Sequence, residues 1–346
     1  MDNIPHIKKL SDYIKPISSL SPSSFLNSER GCVLHTILSK SVPFSLKTPP
    51  TSKAILGTIS HKMLELRRLG FINSRQEFKL KWKKLIQEKE SEIKVQFPTL
   101  RNIILADFQL CNEIWNIAQT ISAEVVSGSQ YEQSNPFGPE KKVKLGNILI
   151  GYIDSASSFG DGAEIIDYKT GKVHDEFGNI KEEYISQLSL YALMFEETFG
   201  IKVHRLAIID RDSTYHTVNR LPIDKETILL NAQNLINEIN DKLTSELIDI
   251  CSANVNCKFC NCRHLCPSFL EGADSSQIVK GKLVSVPNKN VAIVETSSGN
   301  QVINGLDTLD IELHQYLNKT IVFLNLFVRD KLPLTICSNS LIFIED

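Results

Sequence analysis

The chain has no surplus of charge of either sign. Across 346 residues, 38 Lys and Arg stand against 40 Asp and Glu, a formal net charge of −2. Bulk charge therefore does not announce a nucleic-acid partner, and any basic surface has to be local. No stretch approaches the roughly 18 apolar residues that a membrane helix needs. The opening MDNIPHIKKLSDYIKP has no apolar h-region and no cleavage pattern, so a cytoplasmic protein with no membrane partner is expected. No segment is strongly biased in composition and no repeat of fixed period is present, which argues against disorder and solenoids. There is also no G-x-x-x-x-G-K-S/T phosphate loop, so the chain carries no motor of that kind.

What is present is a hydrophobic fraction of 42%, enough for a sizeable core and, at this length, for more than one unit. Of eight cysteines, five lie between Cys251 and Cys266. In a reducing compartment such a cluster suggests metal rather than disulfides.

The first third reads as helical. Ser23 or Ser24 can cap a short helix carrying Cys32. Ile55, Ile59, Met63, Leu64 and Leu66 recur at helical spacing with Gly70 as the stop, and further helices are expected over 75–93 and 101–120. From residue 122, SAEVVSG, KLGNILIGYIDS and AEIIDYKTG read as strands, with SSFGDG as a hairpin connection. A helix at about 182–199, stopped by Gly200, a strand in HRLAIID and an amphipathic helix over 223–247 lead to the cysteines. From Gln277 onward come three strands, a short helix and two more strands, an order similar to an OB-fold. The expected class is α/β: a helical part over 1–120, a mixed-sheet core with the cysteine cluster over 121–272, and an OB-like β domain over 276–346.

The chemistry gathers around three residues. Asp154 closes the strand GNILIGYID, and Asp167 and Lys169 lie two apart in EIIDYK, so they point to one side of a strand. If the two strands pair, two carboxylates and an ammonium converge at one end of a sheet. Carboxylate oxygens suit Mg²⁺ or Mn²⁺. Such a metal polarises a phosphate and acidifies a bound water, while a lysine orients that water or offsets charge in the transition state. Asp-x-Lys by itself is also what a solvated strand face looks like.

The motifs GYID, EIIDYKTG and QLSLY occur in that order, with G-x-x-x-H upstream at Gly57 and His61. Over about residues 20–270 this resembles the RecB-like branch of the PD-(D/E)XK nucleases, which includes AddB-type helicase-nucleases and CRISPR-adaptation exonucleases. The resemblance implies a restriction-endonuclease-like mixed sheet. It implies Asp154, Asp167 and the backbone carbonyl of Tyr168 as ligands of Mg²⁺ or Mn²⁺, with His61 as a further ligand whose nitrogen favours Mn²⁺. Lys169 becomes the catalytic lysine. Gln187 and Tyr191, four apart on one helix face, become DNA contacts. Glu124 matches a glutamate often found on the first strand, and Glu164 falls on the strand face opposite Asp167. The implied activity is cleavage of single-stranded DNA, exonucleolytic or flap-like, beside a helicase or other protein partner. Two rival readings are a non-catalytic DNA-binding or assembly subunit and a sequence-specific restriction-type endonuclease.

Cys257, Cys260 and Cys266 form C-x2-C-x5-C, three thiolates where a four-iron cluster wants four. The resembling nucleases take the fourth from far upstream, beside a Ser-Pro-Ser segment, a place met here by Cys32 in SPSSFLNSERGC. A 4Fe-4S cluster on Cys32, Cys257, Cys260 and Cys266 is thus implied, closing a loop of about 225 residues. Cys251 and Cys262 leave open a local zinc site within 251–266. Cys111 and Cys337 read as core. Local basic patches lie at Arg75, Lys79, Lys81, Lys83, Lys84 and Lys89 around Trp82, and at Lys141, Lys142 and Lys144. The first is equally a solvated helix face with Trp82 in the core.

Overall fold

The computed structural model describes residues 4–26, 32–97, 100, 105, 108–120, 136–244, 257, 260–272, 277–309, 311–328 and 333–345. Its first part is helical: α1 (Pro22–Leu26), α2 (Val33–Ser41), α3 (Ser52–Arg68), α4 (Arg75–Gln96) and α5 (Phe108–Thr120). Local chemistry sets these limits. Thr51 caps α3 by accepting the Ala54 N–H, and the chain leaves α3 through Gly70 at φ 74°. Ser74 and Glu77 form a capping box at the start of α4. Trp82 of α4 is buried and stacks on Phe78 at 6.4 Å, so the basic residues around it belong to a solvated face. Helix α5 begins later than the hydrophobic spacing suggested.

A five-stranded sheet follows, in the order β2 (Gly138–Leu145), β3 (Leu149–Phe159), β4 (Gly162–Lys169), β5 (Val203–Asp210) and β6 (Tyr215–Val218). Only β4 and β5 run parallel, joined by the crossover helix α6 (Glu182–Phe199); the other neighbours are antiparallel. Helix α6 stops at Gly200, as its sequence suggested, with φ 68°. Two details differ from expectation. Strand β3 runs past Asp154 to Phe159, and the tight connection is Gly160-Asp161 rather than Asp161-Gly162, with Phe159 paired to Gly162. Strand β2 lies in a segment read only as a basic patch. Alternate burial along it leaves Lys142 and Lys144 exposed but Lys141 buried. The segment SAEVVSG, with Glu124, lies outside the described residues.

Helix α7 (Lys225–Asp241) and the short α8 (Pro267–Gly272) lead to a second sheet. It contains β1 (His6–Ile7), β7 (Val279–Asn288), β8 (Val291–Thr296), β9 (Gly299–Asn304), β10 (Thr320–Leu324), β11 (Leu334–Thr335) and β12 (Leu341–Glu345). Its order is β1-β12-β10-β7-β8-β9-β11. Among the described residues these strands do not close into a barrel. In that order β11 and β12 stand toward opposite ends of the sheet, and in the short connection between them Cys337 N donates to Ser340 Oγ at 2.9 Å. The N-terminal His6–Ile7, expected with the helical part, adds a parallel edge strand to β12. Val322, Leu324, Leu341 and Phe343 of this sheet join the core of the first sheet and its helices. No helix among the described residues is long and apolar enough to cross a membrane.

The β3–β4 turn gives a test of this packing. A Cβ on Gly162 would sit 2.3 Å from the Lys202 carbonyl oxygen, which already accepts the Ala163 N–H at 2.9 Å. Gly162→Ala is expected to cost about 3 kcal/mol through overpacking. Gly160→Ala, at φ 63° with open space around it, should cost only about 1 kcal/mol of backbone strain. Urea midpoints at unchanged m-value report both.

Candidate active site and cysteine cluster

The β3–β4 ladder ends at Ser155 paired with Ile166, one residue short of the two aspartates. Beyond it a side chain replaces the strand as acceptor: Asp154 Oδ2 takes the backbone N–H of Tyr168 at 2.9 Å. Asp154 Oδ1 lies 3.1 Å from Nδ1 of His61, which α3 carries across from the helical part. Asp167 is 7% exposed. Its Oδ2 lies 2.8 Å from Lys169 Nζ, a charge contact whose angle leaves that oxygen without a hydrogen bond. Helix α6 adds Gln187, whose Oε1 is 3.5 Å from Lys169 Nζ, and Tyr184, whose ring lies 4.7 Å below the same ammonium. Tyr191 is hydrogen-bonded to Gln187, and burial pushes its phenol up to about 12. The structure thus brings His61, Asp154, Asp167, Lys169, Gln187 and Tyr191 together. Glu164 points elsewhere, bonded to Arg205 Nε at 2.5 Å and to the Tyr215 hydroxyl.

The electrostatics follow from crowding two carboxylates out of water. Burial and the Asp154 charge raise the Asp167 carboxyl to about 6, although Lys169 opposes the shift. Burial alone would lower His61, but the hydrogen bond and charge of Asp154 reverse it, so the imidazole holds its proton more tightly than usual. Lys169, also desolvated, is held protonated by Asp167. Both carboxylates lean on protein cations. The site carries more negative charge than its solvation supports.

Two further carboxylates border this group. Glu140, at the left-handed φ of 52° near the start of β2, is raised by burial and by the charges of Glu65 and Asp154. Reading 136–145 as a basic patch hid this glutamate. The usable signal was its place on the strand hydrogen-bonded to the one that carries Asp154. His61, Lys62, Glu65 and Glu140 line a cleft of about 800 Å³ that runs between α3 and α4 toward Lys89.

A divalent cation suits this donor set. Asp167 Oδ2 is a buried oxygen in want of a bond, and carboxylate oxygens with one imidazole match Mg²⁺ or Mn²⁺. As the side chains stand, no three His, Cys, Asp or Glu among the described residues are arranged to hold a metal ion.

The cysteines form a second focus. Cys32 is the N-cap residue of α2. Burial raises the Cys260 thiol, and charges on Cys32 and Cys257 raise it further, so these residues are neighbours in space. Hydrogen bonds stitch the same two regions together: Thr48 N to Asn261 O at 2.8 Å, and Arg263 Nη1 to Thr48 Oγ1 at 3.0 Å. Cys262 is fully buried, donates to Asn261 Oδ1 at 3.3 Å, and is pushed up to about 12 by burial. Cys111 is a core residue and Cys337 only half-buried. Cys251 lies outside the described residues.

A family model, the PD-(D/E)XK nuclease superfamily, matches residues 24–267, more than half of the chain. The chain belongs to that superfamily. Among solved structures, the crystal structure of SSO0001 is similar over 63% of this chain and 96% of its own, at 17% identity and a TM-score of 0.28. No curated protein matches.

The Asp167 shift predicts a pH dependence. Its folded pKa lies above the unfolded value of 3.8, so the ionised group costs stability above about pH 6, and the cost is relieved as pH falls from 6 toward 4. Metal-free Asp167→Asn is expected to be more stable than wild type at pH 8, with the difference shrinking toward pH 5. Urea denaturation in EDTA at the two pH values reads this directly, and a difference that widens toward pH 5 contradicts it.

Proposed function

We propose that the protein is a metal-dependent deoxyribonuclease of the RecB-like branch, hydrolysing phosphodiester bonds of single-stranded DNA in an exonucleolytic or flap-like manner. The observation that carries this is the buried, under-bonded Asp167 beside Asp154, with Lys169 and His61 in contact with the pair. Asp154, Asp167, His61 and the Tyr168 carbonyl would hold Mg²⁺ or Mn²⁺, which, when bound, supplies Lewis-acid polarisation of the phosphate and an acidified water. Lys169 orients that water or offsets the charge that develops on the phosphate oxygens. Gln187 positions the lysine through its 3.5 Å contact and, with Tyr191, faces the DNA. The non-catalytic alternative has no use for a lysine held protonated against a buried aspartate.

Cys32, Cys257, Cys260 and Cys266 form the ligand set we assign to a 4Fe-4S cluster. The charge coupling of Cys32 and Cys257 to Cys260 supports it, as does the withdrawal of Cys262 into the core as a neutral thiol. The cluster's part is mechanical, joining the helical region to the end of the nuclease core. The C-terminal sheet is read as OB-like. In support, one chain segment, 334–345, supplies both β11 against β9 and β12 against β10. By the RecB-like resemblance the protein works beside a helicase or other partner, and the C-terminal sheet serves either partner docking or nucleic-acid binding.

Asp167→Ala and Lys169→Ala are each expected to lower single-turnover cleavage in Mn²⁺ by at least a thousandfold while leaving the fold intact. Mn²⁺ should raise the Tm of wild type but not of Asp167→Ala. Wild-type rates in either variant refute the assignment.

Protein purified without oxygen is expected to be brown and to contain iron and acid-labile sulfide. Cys32→Ala should lose these as completely as Cys260→Ala, whereas Cys262→Ala keeps them. A colourless zinc protein whose metal content ignores Cys32 refutes the ligand set.

A further inference from the structure

Residues 170–181 connect the two elements that carry the site: β4 ends at Lys169, and α6, with Tyr184, Gln187 and Tyr191, begins at Glu182. Nothing in the proposed chemistry uses this segment, yet it is built as a rigid hairpin. His174 and Ile180 form a β-bridge. Between them Asp175 Oδ1 accepts the N–H groups of Phe177 and Asn179, both at 2.9 Å. Asp175 N donates to Asn179 O at 2.8 Å, and Gly178 turns the chain at φ 83°.

The base is braced on both sides. Val173 is buried, and its carbonyl accepts Lys181 N at 3.1 Å. The His174 ring meets His216 edge-on at 4.8 Å, and Asp210 holds His216 Nε2 at 2.7 Å. On the other side Lys181 Nζ lies 5.4 Å from the Tyr184 ring, the ring that also contacts Lys169. The hairpin is therefore fixed relative to the catalytic lysine.

At its tip Phe177 is 81% exposed, more than any other aromatic side chain among the described residues. Only the Phe177 backbone takes part in the turn's hydrogen bonds, so the turn does not require a ring there. A large apolar ring held in water gains nothing within this chain. Of the two acids beside it, Asp175 is committed to the turn. Glu176 repels phosphates and so favours a base, rather than the backbone, against the tip.

We propose that Phe177 is a stacking platform for an unpaired base of the strand held in the site, so that the hairpin admits single-stranded or frayed ends and disfavours closed duplex. The inference rests on the nuclease reading. Aromatic faces stack on any base, which gives affinity without sequence preference.

The test uses the full chain in EDTA with a single-stranded oligonucleotide carrying 2-aminopurine, whose fluorescence falls on stacking. Wild type should quench it. Phe177→Ala should lose the quench and bind about tenfold more weakly, and Phe177→Trp should keep both. With Mn²⁺ added, the Phe177→Ala defect should fall on KM and leave kcat within about twofold. Equal quench and affinity in wild type and Phe177→Ala overturn the proposal, while cleavage by both leaves the nuclease reading standing. Failure of Phe177→Trp to rescue also overturns it, in favour of a role in the hairpin's own structure. A wild-type protein that neither binds nor cuts DNA removes the nuclease reading and this inference with it.

Discussion

Two carboxylates packed beside each other away from water must find positive charge, and much of this structure is arranged around that need. Asp154 and Asp167 come from neighbouring antiparallel strands at the point where their ladder ends. Without a cation the protein answers with its own: Lys169 against Asp167, and a protonation-prone His61 against Asp154. Burial, with the Asp154 charge beside it, still raises the Asp167 carboxyl, although Lys169 opposes the shift. A site stabilised by its own side chains would show the opposite shift, as the carboxylate of Asp210 does beside His216. A divalent ion at this place would supply the positive charge that the two carboxylates lack.

That constraint orders the fold around it. His61 reaches Asp154 only because α3 lies against the sheet, and the far side of α3 is fixed by α4 and α5 through Phe78, Trp82 and Trp115. The helical region in turn is tied to the end of the nuclease core by the Thr48–Asn261 and Arg263–Thr48 bonds beside the cysteines. His264, which falls between Cys260 and Cys266 in the sequence, is buried and stacks 4.3 Å from Phe343, linking this segment to the C-terminal sheet.

Legibility in the sequence followed how local each feature is. The helix stops at Gly70 and Gly200 and the alternation that puts Asp167 and Lys169 on one face depend on near neighbours, and they were readable. The convergence of His61 and Cys32 on their partners was reached through resemblance, because nothing in their local spacing encodes contacts across 93 or more residues. Strand β2 escaped because charge masked alternation: three lysines in eight residues read as surface, although Lys141 takes an inward position. Glu140 was lost with it. The hairpin turn was displaced by one residue because Gly160, Asp161 and Gly162 all suit a turn. What decides is that a side chain at 162 would collide with the carbonyl of Lys202, the residue just before β5 and 40 positions further along the chain.

The same logic separates the two exposed faces of the molecule. On α4 seven basic residues stand against four acids, and the Lys84–Glu88 and Lys89–Glu92 pairs leave Lys79, Lys81 and Lys83 as a local excess of positive charge on a solvated face. With a chain charge of −2, attraction for a phosphate strand rests on such local patches, to which the exposed Lys142 and Lys144 of β2 add. Contacts that do not depend on charge would add to that attraction. Stacking on aromatic rings is the main contact of that kind. Tyr184 lies beneath Lys169, and Phe177 stands exposed on the braced hairpin that joins β4 to α6. Because β4, the hairpin and α6 are consecutive in the chain, Lys169 and Phe177 are set by one continuous stretch of backbone. Their separation is thereby fixed within one rigid segment.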